Sequence, residues 1–457
     1  MSEEVAAELG EATRASLIAP AGHGKTWTLA RAVQFAPPPQ LLLTHTHAGV
    51  HALRRHLREA KVPTSHYDVD TIAGFATRWA SAFPGIGGWD PTAIDPDWDR
   101  LHPAATKVLS RPQLLASVEL SYRGVLVDEY QDCTVDQHQL ILALAQVLPT
   151  RVVGDPLQAV YDFGNSPAVD FETDVYPAFP PLGPLTTPWR WAHNEALAAD
   201  LERLRLDLLA GRQPSLADFQ SIAVEGGHHA AFSAACSRAA DLGGTAAILR
   251  KHPGQAHAAA QRLGGRFVSM EDLAGRDILA AASALDTATG PARAARLIDI
   301  FEACTTKIAP ALKTHRQRYE DGELPTPPSG RNAQLVVALN AAANTDSPTA
   351  LGAAIRAAQT YPGAVVYRPE VLDCLAVAAY RCAPDDGDAS LRSEVQDVRD
   401  RERRTGRRLP DRVVSRTLLV KGLEFDHAVV CDTPDLNVSE TYVALTRASR
   451  TVTVISA

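Results

Sequence analysis

The chain has 457 residues, 46% of them apolar and 21% charged, enough for two to four domains with cores of their own. A formal net charge of -8 argues against coating nucleic acid over the whole surface but leaves room for a local basic groove. The six cysteines form no Cys-x-x-Cys pair, no apolar run approaches the roughly 20 residues of a membrane span, and the acidic start Met1 to Glu4 lacks a signal-peptide core. The expectation is a soluble, cytoplasmic protein with no membrane partner.

In chain order, residues 1–14 read as a short helix leading into a strand from Ser16 to Ala19. Ala19-Pro20-Ala21-Gly22-His23-Gly24-Lys25-Thr26 then follows the phosphate-binding loop pattern, with Ala19 where the pattern usually starts with Gly. Gly22 and Gly24 let backbone N–H groups curl around phosphate oxygens, and a helix from about Lys25 to Val33 turns its positive end to the same place. Lys25 is spaced to reach the terminal phosphates, and Thr26 offers a hydroxyl to Mg²⁺.

Gln40 to Thr44 reads as a second strand, His45 to Gly49 as a loop, and Val50 to Ala60 as a helix carrying Arg54, Arg55 and Arg58. His45 and His47 have no third ligand at a zinc-like spacing. Small polar groups at a strand's C-terminal end can instead touch a sugar-phosphate backbone. Asp70 to Phe75 is again polar and small, with one aromatic, and residues 83–105 read as a loop or small insertion.

The chain is organised around Gly124-Val-Leu-Val-Asp-Glu-Tyr-Gln-Asp132, a short buried strand that releases Asp128 and Glu129 at its C-terminal end. Open α/β sheets place their ligand chemistry there. Neighbouring residues on an extended chain point to opposite sides, so one acid can hold a metal while the other polarises a water. A helix over 136–148 and a strand over 151–155 follow, then Gln158 and Tyr161 in a loop. Past Leu185 to Arg190 the composition changes, with strands at 245–249 and 265–269 and then Ala-rich helix over about 275–400. A basic cluster between Arg392 and Arg408 reads either as a solvated helix face or as a phosphate-contacting patch. Strands return at 413–420, 427–431 and 451–455, with a helix at 442–448.

Six segments stand in the order of the superfamily 1 helicases: the phosphate loop, Val127 to Asp132, Gly154 to Tyr161, Trp189-Arg190, Lys421 to Phe425, and Ala444 to Ala448. The Gln-x-x-Tyr form of the third resembles the UvrD/Rep branch, and the likeness is weakest over 275–400. The resemblance implies an α/β fold with two RecA-like motor domains, parallel sheets flanked by helices, and a mostly helical insertion in the second. The first domain spans 1–184 with a small insertion at about 76–120; the second spans 185–274 and 401–457; the insertion spans 275–400.

The resemblance also implies roles, with ATP and Mg²⁺ as cofactors bound in a cleft between the motor domains. The loop Ala19 to Thr26 binds the phosphates, Thr26 and Asp128 hold Mg²⁺, and Glu129 deprotonates the attacking water. Gln158 senses the terminal phosphate, Arg190 and Arg447 act as arginine fingers, Trp189 stacks on the base, and Glu424 approaches the ribose. Thr44, His45, Thr46, His47, Thr71, Phe75 and Tyr161 line a DNA track, where stacking and backbone contacts suffice without sequence readout. The partner is single-stranded or tailed duplex DNA, with a nuclease or other effector as a further possible partner.

The implied activity is that of an ATP-driven 3′-to-5′ translocase or helicase; the alternative is a DNA-responsive ATPase switch. Three departures are visible: residues 1–18 contain no Gln to read adenine, Leu418 stands where relatives often have His, and the segment between Phe75 and Gly124 leaves little room for a full first accessory domain.

Overall fold

A computed structural model describes residues 3–90, 97–160, 166–216, 219–221, 228–272, 275–345, 347–382, 390–405 and 410–455. The chain divides into two compact units, 1–218 with 436–450, and 219–435 with 451–457.

The first unit is built on five parallel strands: β1 (Arg14–Ile18), β2 (Gln40–Thr44), β3 (Tyr67–Thr71), β4 (Gly124–Val127) and β5 (Thr150–Gly154). Their order across the sheet is β1-β5-β4-β2-β3. β2, β4 and β5 are buried along their whole length, with apolar residues at their centres and buried Gln40, Thr44, Thr150 and Arg151 at the ends of β2 and β5. Successive side chains go to opposite faces. Leu42, Leu126 and Val153 join Leu17 and Leu29 in one core; Leu41, Leu43, Val125, Val127 and Val152 join Phe75, Tyr130 and Phe179 in the other.

This order sets the site. β1, β5 and β4 are neighbours, so the segments leaving their C-terminal ends meet on one edge: the glycine loop, Asp155 to Gln158, and Asp128 to Asp132.

Two sequence expectations need correction in this unit. Residues 83–105 are not simply a loop: helices Pro84–Gly87, Leu101–Leu109 and Pro112–Ser121 lie in or just beyond this segment, and Leu101, Ala105 and Leu109 enter the core. Phe75 does not sit in a loop either. It lies in helix Ile72–Ala82 and is 1% exposed, because Ile72, Phe75, Ala76 and Ala80 form one apolar face at helical spacing.

The second unit carries β6 (Gln220–Ser221), β7 (Ala246–Arg250), β8 (Val268–Ser269), β9 (Arg412–Arg416), β10 (Phe425–Val430) and β11 (Ala448–Val454), in the order β6-β11-β10-β7-β9-β8. The pairs β11–β6, β10–β7, β7–β9 and β8–β9 are parallel. Helices from Arg276–Thr287 to Leu391–Thr405 separate β8 from β9 in sequence. They share their own core, which includes Leu297, Phe301, Leu339, Leu372 and Val395. The chain leaves the sheet at β8 and returns on its neighbour, with Val268 opposite Val413. The architecture is α/β, with two sheets flanked by helices and a helical insertion between β8 and β9.

Candidate nucleotide site

The loop after β1 takes the shape its glycines allow. Gly22 and Gly24 have φ of 72° and 82°, the left-handed region that side chains avoid. A Cβ on Gly22 would lie 2.8 Å from the Trp191 ring, so the position also needs glycine for space. Gly24 caps helix Lys25–Ala32, whose first N–H groups therefore open toward the loop. Lys25 is buried, and its ammonium donates to the carbonyls of Ala19 at 2.8 Å and Pro20 at 3.0 Å. Burial pulls its pKa down, against the pull of Asp155, Glu129 and Asp128. His23 is also held low by burial, with Nδ1 2.8 Å from the Ala21 carbonyl oxygen.

The Thr26 hydroxyl donates to Asp128 Oδ2 at 3.0 Å, joining the glycine loop to the end of β4. Asp128 is 3% exposed, and burial first, then the neighbouring Glu129 carboxylate, push it up to about 7. Glu129 takes φ 58°, a left-handed turn that separates the two acids, and donates its N–H to Asp128 Oδ1 at 3.0 Å. Gln131 donates to Glu129 and accepts the Asp155 N–H at 3.0 Å, tying this acid to the end of β5. A buried Asp128 carboxylate driven toward protonation, with the Glu129 carboxylate beside it and a hydroxyl on it, suits a divalent cation, which relieves the repulsion. The side chains of Thr26 and Asp128 thus fit Mg²⁺.

Beyond β5, the carboxylate of Asp155 is fully buried. It accepts from Gln158 Nε2 at 2.8 Å and from Arg205 Nη1 at 2.8 Å. Gln158 Oε1 in turn accepts from Arg447 Nη2 at 3.2 Å, and Arg447 Nε donates to the Val443 carbonyl at 2.9 Å. Arg447 is 2% exposed, so its charge is held in place rather than solvated. Arg190 donates to the Thr446 carbonyl at 2.9 Å, and its backbone N–H donates to Gly22 at 3.1 Å. Arg190 and Arg447 therefore both belong to the first unit, beside the glycine loop.

The first unit runs on to residue 218 and takes in 436–450. Arg205 of helix Glu195–Leu209 pairs with Asp155, and Trp191 Nε1 donates to the Ala448 carbonyl at 2.8 Å. These contacts bind 189–209 and 436–450 to the first sheet.

The remaining expected residues divide. Trp189 is 41% exposed, leaving its indole available, while Trp191, which the sequence reading passed over, packs on the loop. Glu424 is exposed and lies in the second unit. His45, Thr46 and His47 are half-buried at the end of β2. Thr46 caps helix His47–Glu59 by accepting from the Gly49 N–H, and His45 Nε2 lies 3.4 Å from Cys133 Sγ. Thr44 and Phe75 are 1% exposed, and Thr71 caps its helix by accepting the Gly74 N–H. Tyr161 lies outside the described residues, as do Arg407 and Arg408.

Among the described residues, one His and acid group has metal-like spacing, His257 with Glu271 and Asp277, but Arg368 binds both acids there.

Gln131, Asp155, Arg205 and Tyr442 complete the site, and the sequence reading gave none of them a role. The Tyr442 hydroxyl accepts from the Ala21 N–H at 3.1 Å and from Arg205 at 3.0 Å. Burial raises its pKa, which keeps it neutral. Asp155 and Tyr442 stand inside segments that carry signal; Arg205 lies in an ordinary amphipathic helix and has none.

Glycine loop, Lys-Thr, paired acids and buried arginine together have the form of a P-loop nucleotide site. Over residues 51–172 the chain matches the family model of the UvrD/REP helicase N-terminal domain. Solved structures similar to it include the Pif1 helicase from Candida albicans, at 12% identity and TM-score 0.44, covering 100% of this chain and 93% of that one. Arterivirus nonstructural protein 10, a helicase, gives 10% identity and TM-score 0.37, covering 99% of this chain and 61% of that one. A complex of the same viral helicase with DNA gives 11%, 0.36, 99% and 62%. The chain thus spans about three fifths of the viral helicase's length. No protein of curated function matches it in sequence. Among the described residues, no helix is long and apolar enough to cross a membrane.

Proposed function

We propose that the chain is an ATP-dependent motor that translocates on single-stranded DNA and unwinds tailed duplexes, with 3′-to-5′ polarity taken from the family resemblance alone. The observation that carries the ATPase reading is the 3.0 Å contact between Thr26 and Asp128, with Glu129 next in sequence and Lys25 buried in the same loop. It joins the phosphate-binding and metal-holding halves of the site.

The roles follow from the groups present. Lys25 and the N–H groups of the glycine loop bind the terminal phosphates. Thr26 and Asp128 hold Mg²⁺, which when bound neutralises charge on the phosphate oxygens. Glu129, oriented by Gln131, takes the proton of the attacking water. Gln158 senses the terminal phosphate. Arg447 stabilises the charge that develops on the transferring group, as phosphoryl transfer needs positioning and electrostatics more than covalent chemistry. Half-buried Arg190 serves the same end. Exposed Trp189 stacks on the base, and His45, Thr46 and His47 contact the DNA backbone.

The test is ATP turnover with and without single-stranded DNA, beside unwinding of a 3′-tailed duplex. DNA-stimulated turnover with unwinding supports a self-sufficient helicase. Stimulation without unwinding narrows the reading to a translocase or switch, and no turnover in either condition rejects it.

A further inference from the structure

The first unit holds a buried charge relay that none of the roles above explains. Asp155 has no exposure, so its charge needs a fixed cation nearby. Two are within reach. Arg205 Nη1 donates to Oδ1 at 2.8 Å, and Lys25 Nζ stands 4.0 Å from Oδ2. These two partners are not equivalent. Lys25 is the group that must turn to an incoming phosphate, whereas Arg205 is clamped, since the same Nη1 also donates to Tyr442 and its guanidinium lies 5.6 Å from that ring's centre. The second oxygen of Asp155 meanwhile orients Gln158, which accepts from Arg447.

We propose that Arg205 is a positioning residue for the nucleotide reaction: it neutralises Asp155 so that Lys25 is free to leave for phosphate while Gln158 and Arg447 stay aligned. The inference rests on the ATP reading of the site. Without Arg205, the one cation left within 4 Å of Asp155 among the described residues is Lys25. The carboxylate then competes with phosphate for that lysine. Tyr442 loses its second donor at the same time, leaving the Ala21 N–H as its partner in the glycine loop. Arginine suits the role because its fork is rigid and stays charged; lysine keeps the charge alone.

The experiment measures ATP binding, KM and kcat for wild type, Arg205→Met, Arg205→Lys and the double variant Arg205→Met with Asp155→Asn, with a melting temperature for each. Arg205→Met is expected to raise KM and the ATP dissociation constant by roughly tenfold or more, the scale of losing one partner of a buried pair. Arg205→Lys should fall between wild type and Arg205→Met, since it retains the charge but not the fork that holds Tyr442. The double variant should bind ATP more tightly than Arg205→Met, because a neutral Asn no longer captures Lys25. Recovery of binding by removing a second charge is a result that mere damage to the fold would not give.

A folded Arg205→Met protein with wild-type KM overturns the proposal, and so does a double variant that binds no better than the single one. If Arg205→Met does not fold, Arg205→Gln takes its place under the same criteria. A wild-type protein that turns over no ATP rejects the functional reading itself; wild-type turnover with an indifferent Arg205 rejects this inference alone.

Discussion

Replacing Asp128 by Asn should stabilise the protein while abolishing its ATPase activity. Asp128 is 3% exposed and is pushed from 3.8 up to about 7, by burial and then by Glu129. The folded state therefore holds the proton more tightly than the unfolded chain does. Stability linked to this group is full below about 4 and is lost as pH rises to about 7. A rise of about three units corresponds to a ceiling of about 4 kcal/mol at pH 8, at 1.36 kcal/mol per unit.

Asn can keep both local bonds. Its oxygen accepts from the Glu129 N–H, and its amide donates to the Thr26 hydroxyl, which rotates to accept. Because Asn still buries a polar amide, about half the ceiling is expected to appear, or roughly 2 kcal/mol. For a unit of this size that is about 4–8 °C in Tm. Thermal melts of both proteins without Mg²⁺, at pH 5 and pH 8, provide the assay. The variant should melt higher at pH 8, with most of the gap gone by pH 5. Adding Mg²⁺ should raise the wild type alone. A variant that melts no higher than wild type at pH 8, or a gap of equal size at both pH values, would refute the reasoning.

Three further substitutions probe the reaction. Lys25→Ala should cut ATP turnover at least about 100-fold through lost phosphate contact, and wild-type-like turnover would remove the loop from the site. Glu129→Gln should bind ATP normally yet lose roughly 10²–10⁴ in kcat, the scale of a general base; lost binding would instead mark a structural role. Arg447→Ala should lower kcat by about 10³ or more while the ATP dissociation constant changes little, as for a charge that acts in the transition state. An unchanged kcat in single-turnover measurements would rule Arg447 out of the reaction.

What was legible in the sequence follows from how local each signal is. The glycine loop could be read because two left-handed positions, a Lys-Thr pair and a helix start lie within eight residues. β2, β4 and β5 could be read because strands buried on both faces carry apolar runs, here Leu41 to Leu43, Val125 to Val127 and Val152-Val153. β3 escaped notice for the opposite reason. It is an edge strand whose Asp68 and Asp70 face Tyr122 and Arg78, so its sequence, Tyr-Asp-Val-Asp-Thr, looks like a loop.

Phe75 shows how a local reading fails even when the pattern is present. One aromatic among small polar residues looked like a stacking platform. Yet Ile72, Phe75, Ala76 and Ala80 already hold the spacing of a buried helical face, and Thr71 supplies its cap. Arg205 is the harder case. Its helix carries several acids and arginines on a solvated background, and nothing within a turn of it marks this arginine as different. Its meaning comes from Asp155, 50 residues away, and Tyr442, 237 residues away. A buried charge is defined by its partner, so sequence reveals it only when that partner is close in the chain. The motifs mark where phosphate and metal bind; the groups that keep Asp155 compensated when Lys25 departs become visible only once the sheet has brought them together.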